Sequence, residues 1–361
     1  MGRGSTWLLN GKLISPRGVI DGDIHIVGGR IASIRRRGNS EANHLNLRGA
    51  FLAPGFIDLH VWGDPRTVAK DAAMHGTTAF LSALGPEPPV PLARHLAERK
   101  GTAAAAVGAR CLGVHLEGPF LNPRRGGALP RRWMRSATLR ELETLSGVGG
   151  IRLMTLAPER SGGCEAIRWC RRHRIVASMG HSEAEASVAQ RAIDAGATAV
   201  THVFNGMPPW HHRSPTLVDV ALTDPRLTTM VILDGMHVSS LAFQLLLRCK
   251  GVEGIALVTD SIRHQGWDVV ERGGAFYTRT GTLAGSDLTM MRAVRNAVKF
   301  GGIALDQAVR MASTVPARLL GDRRRGRLSV GARADLVAFD RQFRVLLTIV
   351  GGRVAYQRGV S

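Results

Sequence analysis

The sequence predicts an α/β protein, a (β/α)8 TIM barrel joined to a small β-sandwich domain built from both chain ends. Three observations predict it. The two ends read as short strands punctuated by glycine, whereas the middle does not. The middle alternates apolar runs with helix-patterned stretches, and the apolar runs number eight. Most of those runs stop at an acid, a serine or a histidine. A chain of 361 residues has room for one large barrel and an accessory part.

The elements follow in order. TWLLNGKLI and GDIHIVGGRIASI carry Asn-Gly and Gly-Gly turn signals between strand-like runs. GRLSVGARADLVAFD and FRVLLTIVGGRVAYQ repeat that character at the other end. The expected division is residues 1–50 with 323–361 for the sandwich and 51–322 for the barrel. The barrel strands are expected in FLAPGFIDLHV, TTAFLSAL, RCLGVHLEG, IRLMTLAPE, RIVASMGHS, ATAVTHVFN, TTMVILDGMHV and GIALVTDSI. Helices are expected between most of them, as in SSLAFQLLLRCKG and SEAEASVAQRAIDAG. In the latter, Ser182 and Glu185 have the spacing of a capping box. Met290 and Met291 follow Ser286 at helical spacing and are expected in the core.

Composition narrows the function. Hydrophobic residues are 44% and aromatics 5%, so the core is expected to be aliphatic and substantial. The net charge is +20, the excess almost all arginine and scattered, with denser spots at Arg35–Arg37, Arg131–Arg135 and Arg323–Arg327. No basic helix with interleaved aromatics accompanies it. The expectation is therefore a solvated arginine-rich surface that favours anionic small molecules, with no nucleic-acid partner. Cys111, Cys164, Cys170 and Cys249 form no C-x-x-C pair and are expected as reduced, buried thiols of a cytoplasmic protein. No apolar stretch reaches membrane-spanning length, and the first residues lack the apolar core of a signal peptide, so no membrane partner is expected.

The chemistry collects at the strand ends. They are Asp58, His60, Ser82, Glu117, Glu159, His181, His202, Asp234, His237 and Asp260. In a barrel these ends form one rim, and active sites lie there. Glu117 closes the apolar run of GVHLEGPFLN, where a carboxylate is costly to desolvate unless a cation meets it. The expected partners are His181 and His202, with all three side chains around one divalent metal ion. One Glu and two His make a sound zinc set that leaves a position for water. A bound cation acidifies that water and polarises a carbonyl. Asp260, at the end of LVTDS, is placed to take the water's proton and pass it to the leaving group. His115, inside its strand, is expected as a satisfied core histidine or a support for the ligands. His75, His173 and His264 are expected on the surface or in loops. The loop THVFNGMPPWHHRSP carries Asn205, His211, His212 and Arg213, and barrel loops set specificity. An arginine and a histidine suit a phosphate.

PGFIDLH, GVHLEGPFLNP, GHSEA, AGATAVTHVFNGMPPWHHRSP, DGMHVS, LVTDS and GTLAGSDLTM occur in one order that resembles the N-acetylglucosamine-6-phosphate deacetylase family of the amidohydrolase superfamily. The resemblance runs from about residue 51 to residue 340, and the chain ends resemble the family's small β-sandwich domain. It implies a metal held by Glu117, His181 and His202, with Asp260 as the acid/base. It implies that Asn205 and Gly206 hold a sugar phosphate, that His237 contacts the sugar, and that Arg213 reaches the phosphate from the neighbouring subunit of a homodimer. His212 belongs to the same substrate-binding loop. Two positions depart from the family. Trp62 stands where many members have a second histidine, so His60 is left as a candidate ligand without its partner and one ion per chain is expected. Leu129 stands where the family has a histidine near the acyl group. The metal is expected to be Zn2+, with Fe2+ or Mn2+ also accepted by this donor set. Three readings stand at this point. They are a deacetylase for an N-acetylated amino sugar phosphate, an amidohydrolase for a different N-acyl or cyclic amide, and a weakened sugar-phosphate-binding relic.

Overall fold

The computed structural model describes residues 5–15, 18–36, 44–105 and 107–359. Arg37 of the first arginine cluster lies outside them. Eight parallel strands build the barrel, each paired with the next: Phe56–Gly63, Thr77–Leu84, Arg110–Glu117, Ile151–Leu156, Val176–Met179, Ala199–Val200, Thr228–Ile232 and Ile255–Val258. The first two are buried along their whole length, as strands of a parallel sheet covered on both faces must be. The last strand returns to the first. The Asp260 N–H donates to the His60 carbonyl at 2.8 Å. The Asp58 carboxylate accepts the Thr259 N–H at 3.2 Å and its hydroxyl at 2.5 Å. Burial pushes the Asp58 carboxyl up to about 6, against the pull of those Thr259 bonds.

The helices cover the barrel for local reasons. In Met290–Gly301 the Thr289 side chain accepts the Arg292 N–H as an N-cap. Met290, Met291, Ala293, Val294 and Ala297 bury one face, and Gly302 ends the helix in the left-handed region at φ 63. Deleting one such buried side chain typically costs about 2–5 kcal/mol. Leu217–Thr223 begins with a capping box made by Thr216 and Asp219. The box expected at Ser182 and Glu185 does not form. Glu185 precedes Ala186–Ala195 without a side-chain cap bond, because Ser182 donates instead to the Glu159 carboxylate at 2.7 Å.

After the eighth strand the sheet continues past the run GIALVTDSI, beyond which no strands of this sheet were expected. Ser261–His264, Val269–Arg272, Ala275–Thr278 and Leu283–Ser286 extend it to twelve. This addition brings Trp267 and Thr282–Ala284 to the barrel mouth.

The two chain ends form a separate eight-stranded sheet. Its order is Arg353–Gln357, Val345–Val350, Leu336–Phe339, Phe51–Pro54, Ser5–Ser15, Gly18–Val27 and Arg30–Arg35, with His44–Asn46 also pairing Ser5–Ser15. The sheet wraps on itself, for the Ile31 N–H reaches the Ala332 carbonyl and the Ala334 N–H reaches the Gly29 carbonyl, each at 2.9 Å. Leu8, Leu13, Ile24, Leu52, Leu336 and Leu347 fill its core. Phe51–Pro54 pairs inside this sheet, so four residues expected in the barrel belong to the terminal sheet. Gly55 is the crossing point. A Cβ there would lie 2.2 Å from the Thr78 side chain, so the chain passes between the two sheets only as glycine.

All four cysteines are free. Cys111 and Cys170 are buried and Cys164 is half-buried, but Cys249 is exposed, contrary to expectation. Leu241, Leu245 and Cys249 fall on one face of Ser240–Lys250, and that face points outward while Phe243 and Leu246 point inward. Among the described residues no helix is long and apolar enough to cross a membrane.

Candidate active site

Glu117 is the last residue of its strand. His181, His202 and Asp260 each lie two residues beyond the end of theirs. All three of these have positive φ, at 47°, 30° and 48°. Non-glycine residues rarely accept that region, and strain of this kind persists only where the surroundings impose it. It turns each side chain from its strand into the mouth of the barrel.

Glu117 Oε1 lies 3.0 Å from His181 Nε2 and 2.9 Å from His202 Nε2. Among the described residues these three form the one group of His, Cys, Asp or Glu donors that lie within 4.8 Å of one another, and all three are buried. The His181 Nδ1–H donates to the Arg125 carbonyl at 2.7 Å, which presents Nε2 to Glu117. Burial alone would push the Glu117 carboxyl up, but His60, His181 and His202 hold it well below the usual carboxylate range. Gly206 packs against the same imidazole. A Cβ on it would meet His181 Nδ1 at 2.9 Å.

His60 is 1% exposed, and neither of its ring nitrogens has a hydrogen bond. Its Nε2 lies 3.2 Å from Asp260 Oδ1 and 3.5 Å from Glu117 Oε2. Burial pushes the imidazole down, but the charges of Glu117 and Asp260 outweigh it and hold the pKa at about 10. A buried carboxylate oxygen with two imidazole nitrogens within 3.0 Å of it fits a divalent cation. His60 itself lies outside the three-donor group.

A cavity of about 240 Å3 opens over these residues. Asp260, Asn205, Gly206, His237 and Leu129 line it together with the Glu/His/His group. His237 is oriented by Asp234, whose Oδ2 accepts its Nδ1–H at 2.6 Å. Trp62 also lines the cavity, and its indole Nε1–H donates to Asp260 Oδ1 at 2.9 Å. His212 and Arg213 do not line it. They sit in residues 209–215, all exposed, where Arg213 lies 3.4 Å from His212 and His211 stacks on His212 and accepts the Arg213 N–H at 3.3 Å.

Two supports escaped the sequence reading. Glu159 was legible as a strand end but had no role. It accepts the Asn122 Nδ2–H, the Ser182 hydroxyl and the Glu183 N–H at 2.9, 2.7 and 2.7 Å, tying together the segments on either side of His181. Trp267 arrives with the added strands. Its signal was an isolated tryptophan in a Gly- and Asp-containing turn. His115 is satisfied in the core. Its Nδ1–H donates to the Leu59 carbonyl at 3.0 Å, and its Nε2 lies 2.7 Å from Thr155 Oγ1. Burial, then the charge of His60, keeps its pKa well below the ordinary value, so the ring is neutral and accepts from Thr155.

An eight-stranded barrel with a Glu/His/His group at the C-terminal strand ends defines a hydrolase class, and the chain belongs to the amidohydrolase family, which residues 51–355 match. Within that family the chain is similar to N-acetylglucosamine-6-phosphate deacetylase of Bacillus subtilis, at 33% identity over 93% of each chain. It is also similar to N-acetylgalactosamine-6-phosphate deacetylase of Escherichia coli O157:H7, at 36% identity over 84% of this chain and 87% of the other. A structure of N-acetyl-D-glucosamine-6-phosphate deacetylase from Mycobacterium smegmatis, a mutant in complex with N-acetyl-D-glucosamine-6-phosphate, superposes with a TM-score of 0.90. The identity is 30%, and the match covers 98% of this chain and 100% of that one.

Proposed function

We propose that this chain hydrolyses the N-acetyl group of an amino sugar phosphate, with N-acetylglucosamine 6-phosphate as its first substrate. The observation that carries the reading is the convergence of Glu117 on His181 and His202 beside Asp260, at a barrel mouth. The relatives named above support the substrate class.

Glu117, His181 and His202 would hold one divalent ion, Zn2+ by the chemistry of one carboxylate and two imidazoles, with Fe2+ or Mn2+ as alternatives. Such an ion supplies Lewis acidity at the amide carbonyl and acidifies water. Asp260 takes a proton from the attacking water and delivers one to the amine nitrogen as the C–N bond breaks. Trp62 and His60 hold that carboxylate through Oδ1. Asn205, Gly206 and His237 hold the sugar end. His212 and Arg213 lie outside their own chain's cavity, which supports a homodimer in which they reach the phosphate in the partner's site. The free cysteines suit a reducing cytoplasm. The barrel and the terminal sheet act as two domains, with Phe51–Pro54 in the second.

A second reading, N-acetylgalactosamine 6-phosphate, is favoured by the 36% identical relative. Acetate release from the two epimeric 6-phosphates and their unphosphorylated forms, with divalent metal supplied, separates the readings. The higher kcat/KM names the sugar. Release from none of them contradicts the proposal.

A further inference from the structure

A second cavity, of about 650 Å3, adjoins the metal-site cavity of about 240 Å3. Five residues line both: Trp62, Ala128, Leu129, Trp267 and Ala284. All five are apolar. Trp62 and Leu129 are buried in one cluster with Leu121 and Met134, and Trp267 packs on Trp62 with ring centroids 5.0 Å apart. The one polar atom that Trp62 offers is already bonded to Asp260.

Asn205, Gly206 and His237 line the smaller cavity and not the larger. An N-acyl sugar bound over the Glu/His/His group has a hydroxyl-rich end and a hydrocarbon end. Sugar hydroxyls against the Trp62–Leu129–Trp267 wall would lose water without gaining partners, whereas methylenes would gain from burial there. The polar residues match the sugar and the wall matches the acyl group. An acetyl group ends in one methyl and leaves the larger cavity unused.

Resting on the deacetylase reading above, we propose that the site also takes N-acyl chains longer than acetyl, and with higher kcat/KM, the added carbons running along Trp62, Leu129 and Trp267 into the larger cavity. The reaction is the same hydrolysis. The water oxygen bonds to the acyl carbon, the C–N bond breaks, the nitrogen leaves as the protonated amine and the chain leaves as a carboxylate. The larger cavity also carries Asp64, Glu87, His95, Glu98, Arg99, Arg132 and Asp268, and Arg99 donates to the Ser82 hydroxyl at 3.0 Å beside the Trp62 strand, so the apolar path is short and favours butanoyl or hexanoyl over long fatty chains.

The test uses glucosamine 6-phosphate carrying N-acetyl, N-propanoyl, N-butanoyl or N-hexanoyl groups, with free amine as the readout. Burying one methylene corresponds to about fourfold, so kcat/KM is expected to rise by up to that factor per carbon through butanoyl. Val269 and Thr278 line the larger cavity only. Val269→Trp, or Thr278→Trp if the first variant does not fold, is expected to lower the hexanoyl-to-acetyl ratio about tenfold. The Asp260→Asn enzyme, whose Trp62, Trp133 and Trp267 line the larger cavity, is expected to bind the N-butanoyl sugar more tightly than the N-acetyl sugar by tryptophan emission. Efficient hydrolysis of the acetyl compound with kcat/KM falling as the chain lengthens overturns this inference and leaves the deacetylase reading intact. No amine from any of the four overturns both.

Discussion

The Trp62 indole N–H donates to Asp260 Oδ1 at 2.9 Å, and His60 Nε2 approaches the same oxygen at 3.2 Å. Both contacts fall on Oδ1, which leaves Oδ2 for the proton transfer proposed above.

Trp62→Phe removes the donor and keeps an aromatic ring. A hydrogen bond to a charged group is worth about 1.5–3 kcal/mol, so kcat is expected to fall at least about tenfold. KM for the N-acetyl sugar phosphate is expected to change little, and the melting temperature to fall by a few degrees as the smaller ring leaves a gap in the Leu121–Leu129–Met134 cluster. Steady-state kinetics with the N-acetyl sugar phosphate checks this, and an unchanged kcat would show that His60 alone positions the carboxylate.

Gly206→Ala is expected to weaken metal retention. The added Cβ would press on His181 Nδ1, and the residue's φ of 63° disfavours any side chain. Dialysis against a chelator, followed by elemental analysis, is expected to strip the variant sooner than the wild type. Equal retention would mean that the His181 ring shifts without losing its ligand geometry.

Much of this site was legible because most apolar runs stop abruptly at a chemically distinct residue. His181, His202 and Asp260 could be read that way. The left-handed turns that aim them could not, since no glycine marks them. The Arg125 carbonyl that orients His181 was invisible because a backbone carbonyl is the same at every position. Ser182 and Glu185 had a capping spacing, yet Glu159, distant in sequence, competes for Ser182. Cys249 sits in an apolar stretch, but local composition does not say which face of a helix turns outward. FLAPGFIDLHV read as one strand, and Pro54-Gly55 was the break that assigns its two halves to different sheets.

Asp71 ties the added strands to the helix Pro65–Met74. It lies 3.3 Å from His264, 3.7 Å from His75 and 3.5 Å from Arg263. Burial pushes its carboxyl up, but His264, His75 and Arg263 together hold it well below the usual carboxylate range. A folded pKa below the unfolded one means that the unfolded chain binds the proton more readily. The stabilisation is therefore present above about pH 4 and is lost as the pH falls through the folded value. With its partial exposure discounted it is about 1 kcal/mol. Asp71→Asn is expected to lower the melting temperature by about 2 °C at pH 7, with the gap closing below about pH 4. A gap that stays constant with pH would assign the loss to packing.

Arg213→Ala is expected to raise KM for the phosphorylated substrate about tenfold or more and to leave the unphosphorylated one nearly unchanged, because a guanidinium can pair two phosphate oxygens at once. Co-assembly of Arg213→Ala chains with Asp260→Asn chains is expected to recover some activity, since one mixed site then has both groups. Equal effects on the two substrates would make Arg213 a loop residue without a phosphate role.

The most direct measurement titrates chelator-stripped enzyme with divalent metal and follows acetate released from N-acetylglucosamine 6-phosphate. With Glu117, His181 and His202 as the one ion site, activity starts near zero and is expected to saturate at about one ion per chain. Full activity in the stripped enzyme, or saturation only at two ions per chain, would contradict that account.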